Sequence, residues 1–240
     1  MSVRRAVSYA ILATLASAGP VSAAGSPVEV AVLKPHFFGA SHGTLVVNDQ
    51  GVEYRTTDKK DARRWTYEQI KQIQVLTPTR LALRTYEDQG WTHLWTDRTI
   101  TFEVEKGQQI TPEFSAALLA SIPRPVMTTV LPSATGKLRY QVPAKHVRAR
   151  RGSEGELLLY DNALVYQSAQ KGASRYWRFG DLASVYLLDR FRIDVLTYEG
   201  GGGDTRSFEF QLQSDLPPGF YDTLWALVNA PAPLREPTGR

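Results

Sequence analysis

The chain of 240 residues contains no cysteine. This excludes disulfides, thiolate catalysis, iron–sulfur clusters, thiolate zinc sites and a lipid anchor on cysteine. Histidine is scarce, at four residues. None of them falls in a His-x-His or His-Glu-x-x-His spacing, so a metal site built from His36, His42 and His93 has no motif behind it. No serine sits in a nucleophile-elbow frame, which leaves a triad on Ser41 and His42 unsupported. Gly200 to Gly203 lacks the Gly-Lys-Ser/Thr ending of a phosphate loop and opens no helix. The sequence therefore predicts no catalytic residue, no metal and no cofactor. Charge of one sign is also lacking: the formal net charge is +4, which is not the footprint of a nucleic-acid binder.

Long apolar runs are absent except at the start. Arg4 and Arg5 precede an apolar stretch from Ala6 to Ala18, broken at Gly19-Pro20 and followed by Val21-Ser22-Ala23. About 13 apolar residues fall short of the ~20 that span a bilayer. The pattern predicts a signal peptide over residues 1–24, cleaved after Ala23 or Ala24. An Arg/Ala leader of this length is bacterial in style, so the mature chain is expected to be exported, periplasmic or secreted. Removing Arg4 and Arg5 lowers the net charge from +4 to +2, and any anion binding must then come from local clusters.

What the chain does have is a duplication. At a shift of 112, Gly43 falls on Gly155, Leu45 on Leu157, Asp49 on Asp161 and Tyr54 on Tyr166. Lys59 falls on Lys171, Arg63 on Arg175, Trp65 on Trp177, and Thr85-Tyr86-Glu87 on Thr197-Tyr198-Glu199. Beyond that the shift becomes 106, pairing Phe102 with Phe208, Phe114 with Phe220 and Leu118 with Leu224. One loop of the first copy, between Glu87 and Thr99, is thus six residues longer and brings in Trp91 and Trp95. The period is too long for a solenoid and suits two domains of ordinary size. The expected division is a leader over 1–24, a first unit over 26–122, a proline-bearing linker over 123–137, a second unit over 138–229 and a disordered tail over 230–240.

Within each unit the apolar residues alternate over short runs bounded by turn residues, the mark of strands with one wet face. Asp49-Gln50-Gly51 predicts a tight turn between two such runs, with Gly51 supplying a positive φ. Thr111-Pro112-Glu113 is a helix start with a threonine N-cap. Phe114, Ala117 and Leu118 make its inner face, and Phe220, Leu224, Leu227 and Val228 make that of the second closing helix. The class is mainly β (α+β): two tandem units, each a seven-stranded antiparallel bent sheet or partly open barrel capped by a C-terminal helix. Trp65, Trp177, Tyr54 and Tyr166 are expected in the cores.

Gly43-Thr44-Leu45-Val46-Val47-Asn48-Asp49-Gln50-Gly51-Val52-Glu53-Tyr54, then Trp65-Thr66-Tyr67-Glu68-Gln69-Ile70, then the helix from Phe114 to Ile122, resemble the pleckstrin-homology superfold in its GRAM and bacterial PH-like branches. The second unit keeps Gly155, Leu157, Asp161, Trp177, Phe179 and Leu182, and departs at Ala163, where the turn glycine is expected. The resemblance implies binding without catalysis, through a rim of loops. Lys145, Arg148, Arg150 and Arg151 look like the basic run between the first two strands of phosphoinositide-binding members. The first unit has Phe37-Phe38-Gly39-Ala40 there instead. Lys59 with Arg63, and Lys171 with Arg175, are placed on the same rim, in the loop between strands three and four, beside Trp91 and Trp95.

Basic side chains next to loop tryptophans suit a membrane interface or an acidic polymer; the same tryptophans also suit packing between the two units. The expected partner is an envelope protein or an anionic lipid or glycan, with peripheral membrane contact and no nucleic acid. The alternatives are a protein–protein assembly module without lipid binding and, last, an envelope hydrolase.

Overall fold

The computed structural model describes residues 27–89, 97–133, 136–148, 152–200 and 205–230. The expected leader lies outside them, as do the tail from residue 231 onward, Arg150, Arg151, Trp91, Trp95 and His93. The chain is mainly β, with two α-helices among the described residues. Strands β1 (Val28–Pro35), β2 (Ala40–Asn48), β3 (Gly51–Thr56), β4 (Arg63–Trp65), β5 (Ile70–Thr77), β6 (Arg80–Asp88) and β7 (Asp97–Val104) precede helix α1 (Pro112–Ser121). A short strand β8 (Val126–Thr128) follows. Then come β9 (Leu138–His146), β10 (Ser153–Tyr160), β11 (Ala163–Gln167), β12 (Arg175–Arg178), β13 (Leu182–Asp189), β14 (Arg192–Thr197), β15 (Arg206–Leu212) and helix α2 (Phe220–Val228).

The fifteen strands among the described residues join one sheet, in the order β13-β14-β15-β9-β10-β11-β12-β8-β5-β6-β7-β1-β2-β3-β4. On each side of β8 the strands follow one another in the same sequence, and each half closes with its helix. The pairing is antiparallel except where β8 runs parallel to β5, with Ile73 opposite Val126 and Val75 opposite Thr128. The segment expected to be an extended linker is therefore partly a structural strand. Its Thr128 also pairs with Tyr176 of β12, so β8 stitches the halves together.

Local chemistry explains the elements. Asn48 pairs with Gly51 across the two-residue turn, and Gly51 holds φ at 146°. A Cβ on Gly43 would lie 2.2 Å from the Arg55 carbonyl oxygen, and one on Gly155 would lie 2.1 Å from that of Gln167. Both copies need glycine for the same close strand approach. Where the first copy has Gly51, the second starts β11 at Ala163 after the turn Asp161-Asn162. The Thr111 hydroxyl accepts from the Phe114 N–H at 3.2 Å, capping α1 as its sequence predicts.

One apolar core gathers Tyr54, Trp65, Phe102, Phe114 and Leu118, and takes in Leu158, Val165 and Tyr176 from the second half. The other gathers Tyr166, Trp177, Phe208, Phe210, Phe220 and Leu224. Arg178 fixes the junction. Its guanidinium donates to the carbonyls of Leu119 (2.6 Å), Ile122 (2.7 Å) and Arg124 (2.8 Å), and to both oxygens of Asp181. The first two contacts satisfy carbonyls at the end of α1 that the helix itself leaves free.

Candidate functional site

The first half carries a cleft of about 670 Å³ bounded by the end of β1, the β3–β4 loop, β4 and outward residues of β6 and β7. Five cations line it, Lys34, Lys60, Arg63, Arg80 and Arg98, against two acids, Asp61 and Glu103. Asp61 accepts from Lys34 Nζ at 2.6 Å and lies 2.6 Å from His36 Nε2. Burial works to raise the Asp61 carboxyl, but the hydrogen bonds from Lys34 and His36 outweigh it and hold it below the usual carboxylate range. Glu87 is clamped between Arg63 and Arg98. The Arg63 guanidinium also lies 5.8 Å from the Trp65 ring. Trp65 itself is buried, and its Nε1 has no hydrogen-bond partner among the described residues.

Beside this cleft the β1–β2 turn, closed by the His36 N–H to Gly39 carbonyl bond, projects two phenylalanines. Phe37 is 93% exposed and Phe38 88%, and their rings pack edge-on at 4.6 Å. The sequence places this pair in the loop between the first two strands and gives it no binding role; the tight turn, with Gly39 at φ 81°, holds both rings out.

The equivalent place in the second half is built differently. Arg175, expected on the exposed rim, is the first residue of β12 and only 6% exposed. Its Nε lies 3.6 Å from Glu199 Oε2, close enough for ion pairing and too far for a hydrogen bond. The other carboxylate oxygen of Glu199 accepts from Trp177 Nε1 at 2.5 Å. Burial pushes the Glu199 carboxyl up, against the pull of Arg175. Around this pair stand Arg148, whose Nε lies 3.3 Å from His146 Nδ1, and Arg206, stacked 4.9 Å from the Phe208 ring. His146 is buried between Phe208 and Phe210, at ring distances of 5.1 and 5.3 Å. Burial first, then the charges of Arg148, Arg175 and Arg206, lower its pKa to about 4.

Of the residues singled out in the sequence, Arg63 lies in the cleft, whereas Arg175 is withdrawn into the core. Lys59 and Lys171 are exposed in equivalent loops, and it is Lys60, not Lys59, that lines the cleft. Lys145 is an exposed residue of β9 opposite Glu154, and Arg148 follows that strand. Sequence reasoning missed Lys34, Asp61, Arg98, His146 and Arg206. It noted the repeated Thr-Tyr-Glu without pairing its glutamates with Arg63 and Arg175, although all four recur at one shift. His42 Nδ1 reaches Glu105 at 3.0 Å, while Ser41 Oγ lies on Thr56 Oγ1 at 3.1 Å and beside Tyr54. The two residues of the hypothetical triad thus turn to different partners.

No family model and no curated protein matches the chain. Among solved structures it is similar to the C-terminal domain of an unknown protein from Leishmania infantum, at 18% identity and a TM-score of 0.30, covering 38% of this chain and 84% of that one. It is also similar to the linker-DH/PH domains of p115-RhoGEF, at 19% identity and a TM-score of 0.27, covering 38% and 28%. A third similar structure is the Spt16D–Pob3N heterodimer, at 10% identity and a TM-score of 0.29, covering 72% and 84%. No residue role is carried over from any of them.

Proposed function

We propose that the chain is an exported binding protein of two tandem pleckstrin-homology-like units, and that its first unit docks on an anionic membrane surface of the envelope without catalysing a reaction. The unit reading draws support from the identical strand order on both sides of β8, each followed by a closing helix. The docking reading rests on one juxtaposition: two phenylalanines, 93% and 88% exposed, at a loop tip beside a cleft lined by five cations and two acids. Apolar rings lose water on entering the acyl boundary, while lysine and arginine remain at the level of anionic headgroups. No helix among the described residues is long and apolar enough to cross a membrane.

The test is sedimentation of the protein with neutral and with anionic vesicles at two salt concentrations. Binding to the anionic set alone is expected, weakening at the higher salt as screening shortens. Phe37→Ser with Phe38→Ser should remove it with the fold intact, since neither ring is buried. Equal binding to neutral vesicles, or an unaffected double variant, would overturn the reading.

A second reading, assembly with a protein, is favoured by the edge strand β13. Among the described residues that strand pairs with β14 alone, and Tyr186, Leu187 and Leu188 on it and Phe191 beside it are each more than two-fifths exposed.

A further inference from the structure

A second, smaller cleft of about 160 Å³ opens where the two halves meet. Lys71 of β5, Arg84 and Tyr86 of β6, Arg124 ahead of β8 and Tyr198 after β14 stand around it. Tyr86 and Tyr198 are the same position of the two copies, the centre of the repeated Thr-Tyr-Glu. The duplication thus brings its own motif together at the joint, which neither half alone could do.

The charges are unevenly spent. Lys71 has an acid of its own, with Nζ 2.5 Å from Asp97 Oδ2. Arg84 touches only neutral oxygens, the Thr99 hydroxyl and the Gly200 carbonyl, each at a long 3.4 Å. The Arg124 guanidinium rests 5.7 Å from the Tyr86 ring, with Lys71 Nζ at the same distance. Among the described residues neither arginine has a carboxylate within ion-pair distance. Two guanidinium groups that have no carboxylate partner among the described residues therefore face one small cleft with aromatic walls.

We propose that this joint binds a phosphate group, as free phosphate or as the phosphomonoester of a headgroup. Two positive charges match the charge of about −1.5 to −2 that such a group carries near neutral pH. Guanidinium forks present paired donors to phosphate oxygens, which is why arginine is favoured at such sites. The volume lies below the roughly 300–1,000 Å³ of sites for drug-sized ligands, so it admits a headgroup and not a large molecule. The site is separate from the membrane-docking cleft and does not rest on that reading.

The experiment is calorimetric titration of the full chain with inorganic phosphate, beside sedimentation with vesicles carrying phosphatidic acid. The variants are Arg84→Gln, Arg124→Gln and, as a control at an exposed ion pair outside both clefts, Arg55→Gln. Arg124 holds the joint through its backbone carbonyl, which takes the Arg178 contact, so its side chain can be changed with the junction kept. Binding of phosphate is expected, weakened roughly tenfold or more by Arg84→Gln and by Arg124→Gln and unchanged by Arg55→Gln. Vesicle binding that depends on Arg84 and Arg124 with no response to free phosphate would assign the site to a lipid headgroup. No binding in either arm, or binding in both arms indifferent to Arg84 and Arg124, or an equal loss of phosphate binding with Arg55→Gln, would overturn the proposal. Loss of vesicle binding with Phe37→Ser and Phe38→Ser while phosphate still binds would separate the two sites.

Discussion

Arg63 and Arg175 open equivalent strands, each two residues before a core tryptophan and each facing a glutamate from the repeated Thr-Tyr-Glu. In the first half the arginine and glutamate side chains are 40% and 36% exposed; in the second they are 8% and 4% exposed. The same three residues thus make a solvated ion pair beside a cleft in one copy and a buried polar cluster in the other. The surroundings account for this. The first copy adds Arg98, which shares Glu87, and an acid at Asp61, which draws Lys34 and His36 to the rim. The second has Ala173 where the first has Asp61, and His146 where it has Lys34. Small and aromatic groups then close over the pair. The two halves thus differ at one position of the repeat: an open, solvated ion pair in the first and a closed, buried one in the second.

The sharpest test of that contrast is to remove the arginine from each copy. Arg175→Ala leaves the Glu199 carboxylate buried without its counter-charge and should cost about 3–5 kcal/mol of unfolding free energy. Arg63→Ala breaks a solvated pair and should cost about 0–1 kcal/mol. Denaturant unfolding of the two variants measures the difference; similar losses would mean that the two clusters are not different in kind.

The tryptophans sharpen the comparison at a smaller scale. Trp177 Nε1 donates to Glu199, whereas Trp65 Nε1 has no partner among the described residues. Replacement by phenylalanine removes similar volume from both cores, and in the second half it also strips a buried carboxylate oxygen of its donor. Trp177→Phe should therefore exceed Trp65→Phe by about 1–3 kcal/mol in the same assay. An equal cost would mean that water reaches Glu199 and replaces the indole.

Much of this architecture is legible in the chain. Strict alternation marks strands, the Thr111-Pro112-Glu113 start marks α1, and the shifts of 112 and 106 set which strands of the two halves are equivalent. The function of residues 123–137 was not legible. Their prolines signal an extended linker, and only the free edge of β5, a property of the assembled sheet, turns Val126–Thr128 into a strand. Arg175 was misjudged because a basic residue beside a polar loop reads as solvated; its burial depends on Glu199, 24 positions away in sequence. The sequence places Phe37 and Phe38 in the loop between the first two strands, yet hydrophobicity alone carries no direction, and only the tight turn shows both rings held out.

The smallest expected effect separates the two halves by pH. His146 is held neutral by burial and by Arg148, Arg175 and Arg206, with its pKa lowered from 6.5 to about 4. A group with a depressed folded pKa contributes stability that is present above its unfolded value and lost as pH falls through the folded one. The second half should therefore weaken between pH 6.5 and about 4. Glu199 works the other way, because its raised pKa contributes stability present at low pH and lost as pH rises through its folded value. The two groups oppose each other, so His146→Gln isolates the imidazole's share. In the first half the corresponding residue is Lys34, and its partner Asp61 is held below 3.8, so its contribution is lost only below the same window. Amide exchange should lose protection at Ile193 and Phe210 on acidification to pH 4.5 while Leu81 and Phe102 keep theirs. His146→Gln should flatten the difference, and the His146 ring proton should titrate far below a free imidazole. A His146 midpoint near 6.5, or equal loss in both halves, would place water and counter-charge around that ring and remove the distinction between the closed cluster and the open one.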